Sequence, residues 1–132
     1  MKKRKVIIYD DDDAVLNLLK TYFIQRGYEV LAFRRPIVCP FGEFSAQCPQ
    51  DDACADIMLT DYIMPEMNGV ELLMAQSRRK CRMPVANKAI ISGFLDEIVL
   101  KKLHALGYTC FEKPFDLQEL GAWLDEREKA GQ

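Results

Sequence analysis

Residues 56–69 read DIMLTDYIMPEMNG, and this stretch decides the fold. Ile57, Met58, Leu59 and Thr60 are apolar or β-capable and predict a short buried strand. The strand ends on a carboxylate, Asp61. Pro65 and the Asn68-Gly69 pair then turn the chain, and Asn68 can cap a following helix. In an open α/β sheet, ligands bind outside the carboxyl ends of the strands, so Asp61 is delivered to a place where chemistry occurs. A single strand-terminal aspartate is a weak signal, but three other stretches converge on it.

Upstream, Val6-Ile7-Ile8-Tyr9 has no polar alternation, as expected of a parallel strand covered on both faces. Four consecutive acids, Asp10 to Asp13, follow it. Val15, Leu18, Leu19, Tyr22 and Phe23 then recur with helical spacing; Asp12 or Asp13 can cap that helix and Gly27 can stop it. A second strand is expected at about Val30 to Phe33. The region from Arg34 to Ala55 carries Pro36, Pro40 and Pro49 with Cys39, Cys48 and Cys54 between them. No long regular helix is expected there, only a short helix or turn around Phe41 to Gln47.

Downstream of Asp61, a helix is expected from about Gly69 to Lys80 with Val70, Leu73 and Met74 inward, then a loop from Cys81 to Lys88. Ala89-Ile90-Ile91-Ser92 reads as a strand ending in a hydroxyl. Leu95, Ile98, Val99 and Leu103 mark the next helix, closed by Gly107. Thr109-Cys110-Phe111 is a brief last strand, with Lys113-Pro114 just beyond. Asp116 and Glu119 resemble a capping box, and Leu117, Leu120 and Leu124 supply the face of a final helix. Strands alternating with helices imply a parallel sheet with right-handed crossovers.

Composition narrows the function classes. The chain has 132 residues, the length of one domain, and is 49% hydrophobic and 29% charged. Eighteen Lys and Arg against 20 Asp and Glu give a net charge of −2, which favours neither nucleic acid nor an anionic membrane. The basic opening Met-Lys-Lys-Arg-Lys is followed by only four apolar residues before the aspartates, too few for a signal peptide, and no run is long enough to span a bilayer. A cytoplasmic location is expected. Five cysteines without Cys-x-x-Cys spacing describe no secreted disulfide framework.

Four strand ends thus present Asp10 and Asp11, Asp61, Ser92 and Lys113. Carboxylates crowded into one crevice call for a hard cation, and Mg²⁺ suits a few oxygens plus a phosphate. A carboxylate can attack phosphorus and form an aspartyl phosphate, a displacement governed by positioning and by neutralising the phosphoryl oxygens. Mg²⁺, the Lys113 ammonium and the Ser92 hydroxyl would each take one side of that group.

These motifs, in this order, resemble the receiver domain of two-component response regulators over essentially the whole chain. The matching pieces are Asp10-Asp11, Asp61 in an Asp-x-x-Met-Pro-x-Met-x-Gly stretch, Ser92 in the Thr/Ser place, and Lys113-Pro114. The resemblance implies a flavodoxin-like (βα)5 doubly wound parallel sheet of strand order 2-1-3-4-5, here with an irregular second helix region. It also implies a phosphoryl group passed to Asp61 from a histidine kinase or histidine phosphotransfer protein, and docking to a downstream protein. Mg²⁺ would be bound by Asp11, Asp61 and the backbone carbonyl of Ile63, with Asp10 acting through water. The chain is expected to be a phosphoacceptor, not an enzyme, with residues 1–132 forming a single receiver domain and any output domain on another protein. Gly107 to Lys113 is one residue shorter than the family's common spacing, which puts Cys110, with Phe111 beside it, at the place of the switch aromatic. Ile63 and Phe94, two residues beyond Asp61 and Ser92, flank the approach of hydrolytic water; both are apolar and imply a slowly lost phosphoryl group.

Two other classes compete. A small Mg²⁺ phosphohydrolase would use Asp10 as nucleophile with Asp12 two residues on, resembling the haloacid-dehalogenase phosphatases. A metal or redox adaptor would use Cys39, Cys48 and Cys54. Those cysteines lie nine and six residues apart, matching no common zinc spacing, and ordinary packing is favoured for them. His104, between Leu103 and Ala105, reads as a surface residue.

Overall fold

The computed structural model describes residues 3–40, 47–93, 95–114 and 116–131. Five strands form one parallel sheet: β1 (Lys5–Tyr9), β2 (Glu29–Phe33), β3 (Ile57–Asp61), β4 (Lys88–Ser92) and β5 (Thr109–Glu112). Their order is β2-β1-β3-β4-β5, the expected doubly wound topology. Asp61 pairs with Ile91, and Ser92 with Glu112, so the carboxyl ends of the central strands lie level with one another.

The uninterrupted apolar runs are explained by two cores, one on each face. Val6, Ile8, Ile57, Leu59 and Ile91 point to one side and pack against α1 (Asp13–Gln25) and α4 (Leu117–Ala130). Ile7, Tyr9, Met58 and Ile90 point to the other, against α2 (Gly69–Arg78) and α3 (Glu97–Ala105). Burial on both faces removes any reason for polar alternation.

Helix starts follow the sequence closely. Asp12 caps α1, accepting from the amides of Ala14 and Val15. Asn68 and Glu71 form a reciprocal capping box at α2. That box stands there and not at Asp116, whose carboxylate accepts from the Gln118 amide. Gly121 sits inside the unbroken α4, where a Cβ would lie 3.0 Å from the Tyr22 hydroxyl; two helices approach closely at that point.

Two residues that mark the helical stripes are not buried. Leu18 is half-exposed and Leu16 is buried in its place, so the contact stripe of α1 is narrower than the apolar spacing suggested. Ile98 is 78% exposed, since Leu103 alone anchors the short α3 fully. In α2, Leu72 joins Leu73 in the core, with Val70 and Met74 partly buried. The loop before β4 contains a single 3₁₀ turn, Val85–Asn87. His104 is exposed, as expected.

Between β2 and β3 no regular element occurs among the described residues. The turn expected around Phe41 to Gln47 lies outside them, Gln47 apart. The segment is fastened side chain to backbone. The buried Tyr9 hydroxyl donates to the Ile37 carbonyl at 2.6 Å, and Gln76 Nε2 to the Val38 carbonyl at 3.1 Å. The Cys48 amide donates to the Arg79 carbonyl at 2.7 Å.

Gly69 does more than turn the chain. A Cβ there would sit 2.5 Å from the carbonyl oxygen of Asp61 and 3.1 Å from Ile90. The start of α2 is thereby pressed onto the end of β3, where its amide donates to the Tyr62 carbonyl at 2.7 Å. Gly69→Ala should cost about 2 kcal/mol or more, because backbone must move, at the upper end of overpacking penalties. Urea unfolding measures this; a change within about 0.5 kcal/mol, the usual range for neutral surface changes, would contradict the close approach.

Candidate functional site

The carboxyl ends of β1, β3 and β5 gather four charged side chains. Asp10 follows β1 and is fully buried; its Oδ1 accepts from the Asp12 amide at 2.9 Å. Asp61 closes β3 and is nearly buried. Asp11 is exposed at the rim. Ligand oxygens of Asp10, Asp11 and Asp61 lie within 4.8 Å of one another. Lys113, one residue past β5, donates to Asp61 Oδ1 at 3.0 Å and stands 4.0 Å from Asp10 Oδ2. Its position is fixed from behind, where its amide donates to the Ser92 carbonyl at 2.8 Å.

Asp10 Oδ2 is a buried oxygen with no hydrogen-bond partner. An acceptor left so costs about 1–3 kcal/mol, more when charged, so a cation is the natural complement. Three carboxylates and no sulfur or nitrogen make a hard donor set, which fits Mg²⁺. The electrostatics agree. Burial pushes the Asp10 carboxyl up to about 6; the Asp12 amide and Lys113 offset part of this, while Asp61 and Asp11 add to it. Burial also raises Asp61, against the opposing hydrogen bond from Lys113. For Lys113, burial favours the neutral amine, but the bond to Asp61 and the charge of Asp10 outweigh it and raise its pKa.

Other expected residues are spread around this centre. Ser92 ends β4 and is buried, bordering a cavity of about 270 Å³ shared with Leu95, His104, Cys110 and Glu119. Cys110 is half-buried at that cavity, and burial lifts its thiol to about 11. Phe111 packs edge-on against Trp123 with ring centroids 5.6 Å apart. Ile63 is 73% exposed beside Asp61. Phe94 lies outside the described residues. Two contributors escaped the sequence reading: the Asp12 amide, which orients Asp10, and Gly69, whose lack of a side chain lets α2 approach Asp61. The aspartate run and the Asn-Gly pair held those signals but had simpler explanations as a cap and a turn.

The raised Asp10 pKa has a definite sign. Ordinary aspartate titrates at 3.8 and the folded group at about 6, so the folded state holds the proton more tightly. Its burial penalty is therefore fully present above pH 6 and is relieved as pH falls toward 4. With metal chelated, stability should rise on acidification across that window by on the order of 2–3 kcal/mol from this group. Asp10→Asn should remove that rise and be the more stable protein at pH 7. Parallel pH–stability profiles for the two proteins would contradict the assignment.

Comparison with known proteins agrees with this arrangement. The model of the response regulator receiver domain matches residues 6–125. Regulatory protein AtoC of Escherichia coli (strain K12) is 29% identical over 117 residues, 88% of this chain and 23% of that protein. Response regulator SaeR of Staphylococcus aureus (strain USA300) is 29% identical over 115 residues, 87% of this chain and 46% of that protein. The chain thus spans less than half the length of these curated relatives. The Francisella response regulator 1452 receiver domain superposes with a TM-score of 0.76 at 20% identity, covering 98% of this chain and 99% of that one. A response regulator receiver domain protein from Clostridium thermocellum gives 0.75 at 21% identity, covering 97% and 96%. No helix among the described residues is long and apolar enough to cross a membrane. With this fold and a family model matching residues 6–125, the chain belongs to the response regulator receiver domain family.

Proposed function

We propose that this chain receives a phosphoryl group on Asp61 from the phosphohistidine of a kinase or phosphotransfer protein and, once modified, docks with a downstream protein. The observation that carries this reading is the Lys113 ammonium, 3.0 Å from Asp61 Oδ1 and 4.0 Å from Asp10 Oδ2, which accepts no hydrogen bond. A cation and an ion-demanding carboxylate flank the one strand-end carboxylate that Lys113 hydrogen-bonds.

Asp61 would attack phosphorus as the bond from phosphorus to the donor's ring nitrogen breaks, the electron pair leaving with the imidazole. Lys113 would shift from Asp61 to a phosphoryl oxygen, and the Ser92 hydroxyl would donate to another. Mg²⁺, held by Asp11, Asp61 and the Ile63 carbonyl with Asp10 through water, would neutralise further phosphoryl charge when bound. With Cys110 in place of an aromatic and Phe111 packed on Trp123, the phosphorylated state would be communicated through Ser92 and the loop after it, not through a rotating ring.

A phosphohydrolase using Asp10 fits less well. Asp12, which would have to move its proton, is committed to capping α1, and Asp10 Oδ1 is engaged by the Asp12 amide.

Acetyl phosphate with Mg²⁺ should label the protein, and Asp61→Asn should abolish the label without loss of fold; undiminished labelling would sink the proposal. Asp11→Asn should weaken Mg²⁺ binding, measured by intrinsic fluorescence or calorimetry, yet leave the metal-free protein as stable or more so, because it relieves repulsion. A clear loss of metal-free stability would make Asp11 structural instead. Ile63 is exposed and apolar, so nothing there orients an attacking water. Replacing Ile63 with Asn and Phe94 with Glu should speed loss of the label by up to about 100-fold. An unchanged rate in the double variant would remove these positions from the account of lifetime.

A further inference from the structure

Four of the five cysteines converge in space although they do not in sequence. Cys39, Cys48 and Cys54 come from the segment between β2 and β3, and Cys81 from the loop after α2. All four border one void of about 20 Å³ between that segment and the sheet face carrying Ile7 and Met58. We propose that these four thiols are a structural site for a soft divalent cation of the zinc class, bound as a tetrathiolate and distinct from the carboxylate centre.

The void is the size of a single water-sized sphere, and a buried water needs two to four good polar partners. Thiols are poor ones, whereas four of them are the full ligand set of a closed tetrahedral zinc site. The surrounding charge also fits. A zinc ion with four thiolates carries two net negative charges. Arg79 and Arg82 border the void, and so does Gln76, whose Oε1 accepts from the buried Lys88 ammonium at 2.9 Å. Among the described residues no carboxylate pairs with Lys88, which leaves a buried cation bonded to a neutral amide that borders the pocket. Such cationic and amide groups are suitable outer partners for an anionic metal centre.

The frame that would bring the ligands together already exists. Val38 is held by Gln76, Cys48 by the Arg79 carbonyl, and Gln50 by Arg82 Nε at 3.0 Å. The sulfurs themselves stand further apart than bound ligands would. Among the described residues only the three carboxylates have ligand atoms within 4.8 Å of one another, so the ion would complete the closure. Binding balances as one Zn²⁺ plus four thiols giving one tetrathiolate and four protons. A segment with no regular element among its described residues thereby gains a staple to the end of α2.

The test uses the full chain, reduced and kept in excess Mg²⁺ so that the carboxylates are occupied by a hard ion. Titration with Co²⁺ should give intense tetrahedral visible bands and thiolate charge-transfer absorption that saturate at one equivalent and are displaced by Zn²⁺. Zinc should shield four of the five thiols from a disulfide reagent. Cys110→Ser, at the separate cavity beside Ser92, should leave the cobalt titration unchanged and four thiols still shielded. Cys54→Ser and Cys81→Ser should each weaken zinc binding more than about 100-fold, beyond the loss expected for an outer partner. A weak, non-saturating cobalt spectrum in the unaltered protein would overturn the site, as would a disulfide between these cysteines, or full zinc affinity in Cys81→Ser. None of these outcomes depends on whether Asp61 accepts phosphate.

Discussion

The structure turns on one electrostatic constraint: a fully buried carboxylate, Asp10, held beside a second, Asp61, with, among the described residues, a single ammonium to offset both. Burying an ion costs several kcal/mol, and one lysine shared between two carboxylates cannot return all of it. The fold tolerates this because everything else near the site is over-determined. The Asp12 amide fixes Asp10, the backbone of Lys113 is tied to Ser92, and Gly69 lets α2 press onto the carbonyl of Asp61. Packing on both faces of the sheet supplies the stability, and the site keeps an electrostatic deficit that only an added cation or a redistributed charge relieves. A phosphoacceptor needs that condition, since the resting state must gain when its ligands arrive.

The two faces of the sheet are built differently. One is closed by α1 and α4, locked together where Arg26 and Tyr28 meet Glu128. The other is closed by α2 and α3 and by a segment with no regular element of its own among the described residues. There, side chains do the work of a helix: Tyr9, Gln76 and Arg82 each bind a backbone carbonyl of the segment. The same segment carries three of the four thiols that border the void, so its irregularity and its cysteine content have one explanation if a metal completes the closure.

Much of this was legible from residue order. A strand seen as an apolar run ending in a charge, as at Tyr9–Asp10 and Thr60–Asp61, needs no partner to be recognised, and strand ends define the site in this topology. Spacing located the helices but not their buried faces. Leu18 and Ile98 are as apolar as Leu19 and Leu103 in sequence, and only the packed structure shows which are buried. The pair Gln76 and Lys88 was invisible for a related reason. A lysine at the head of a strand reads as surface until its ammonium is found to donate, at 2.9 Å, to a buried amide oxygen twelve residues earlier. Cys81 was missed as a companion of Cys39, Cys48 and Cys54 because local spacing detects metal knuckles, not ligands joined by tertiary packing.

The central claim is that Asp61, and not the neighbouring Asp10, is the carboxylate that accepts the phosphoryl group. Borohydride reduction of the protein after acetyl phosphate treatment, followed by peptide mass spectrometry, converts an acyl phosphate to homoserine and marks its position. The account predicts homoserine at position 61 alone, in the unaltered chain and in the presence of Mg²⁺. Homoserine at position 10, with 61 unmodified, would contradict it and restore the phosphohydrolase reading.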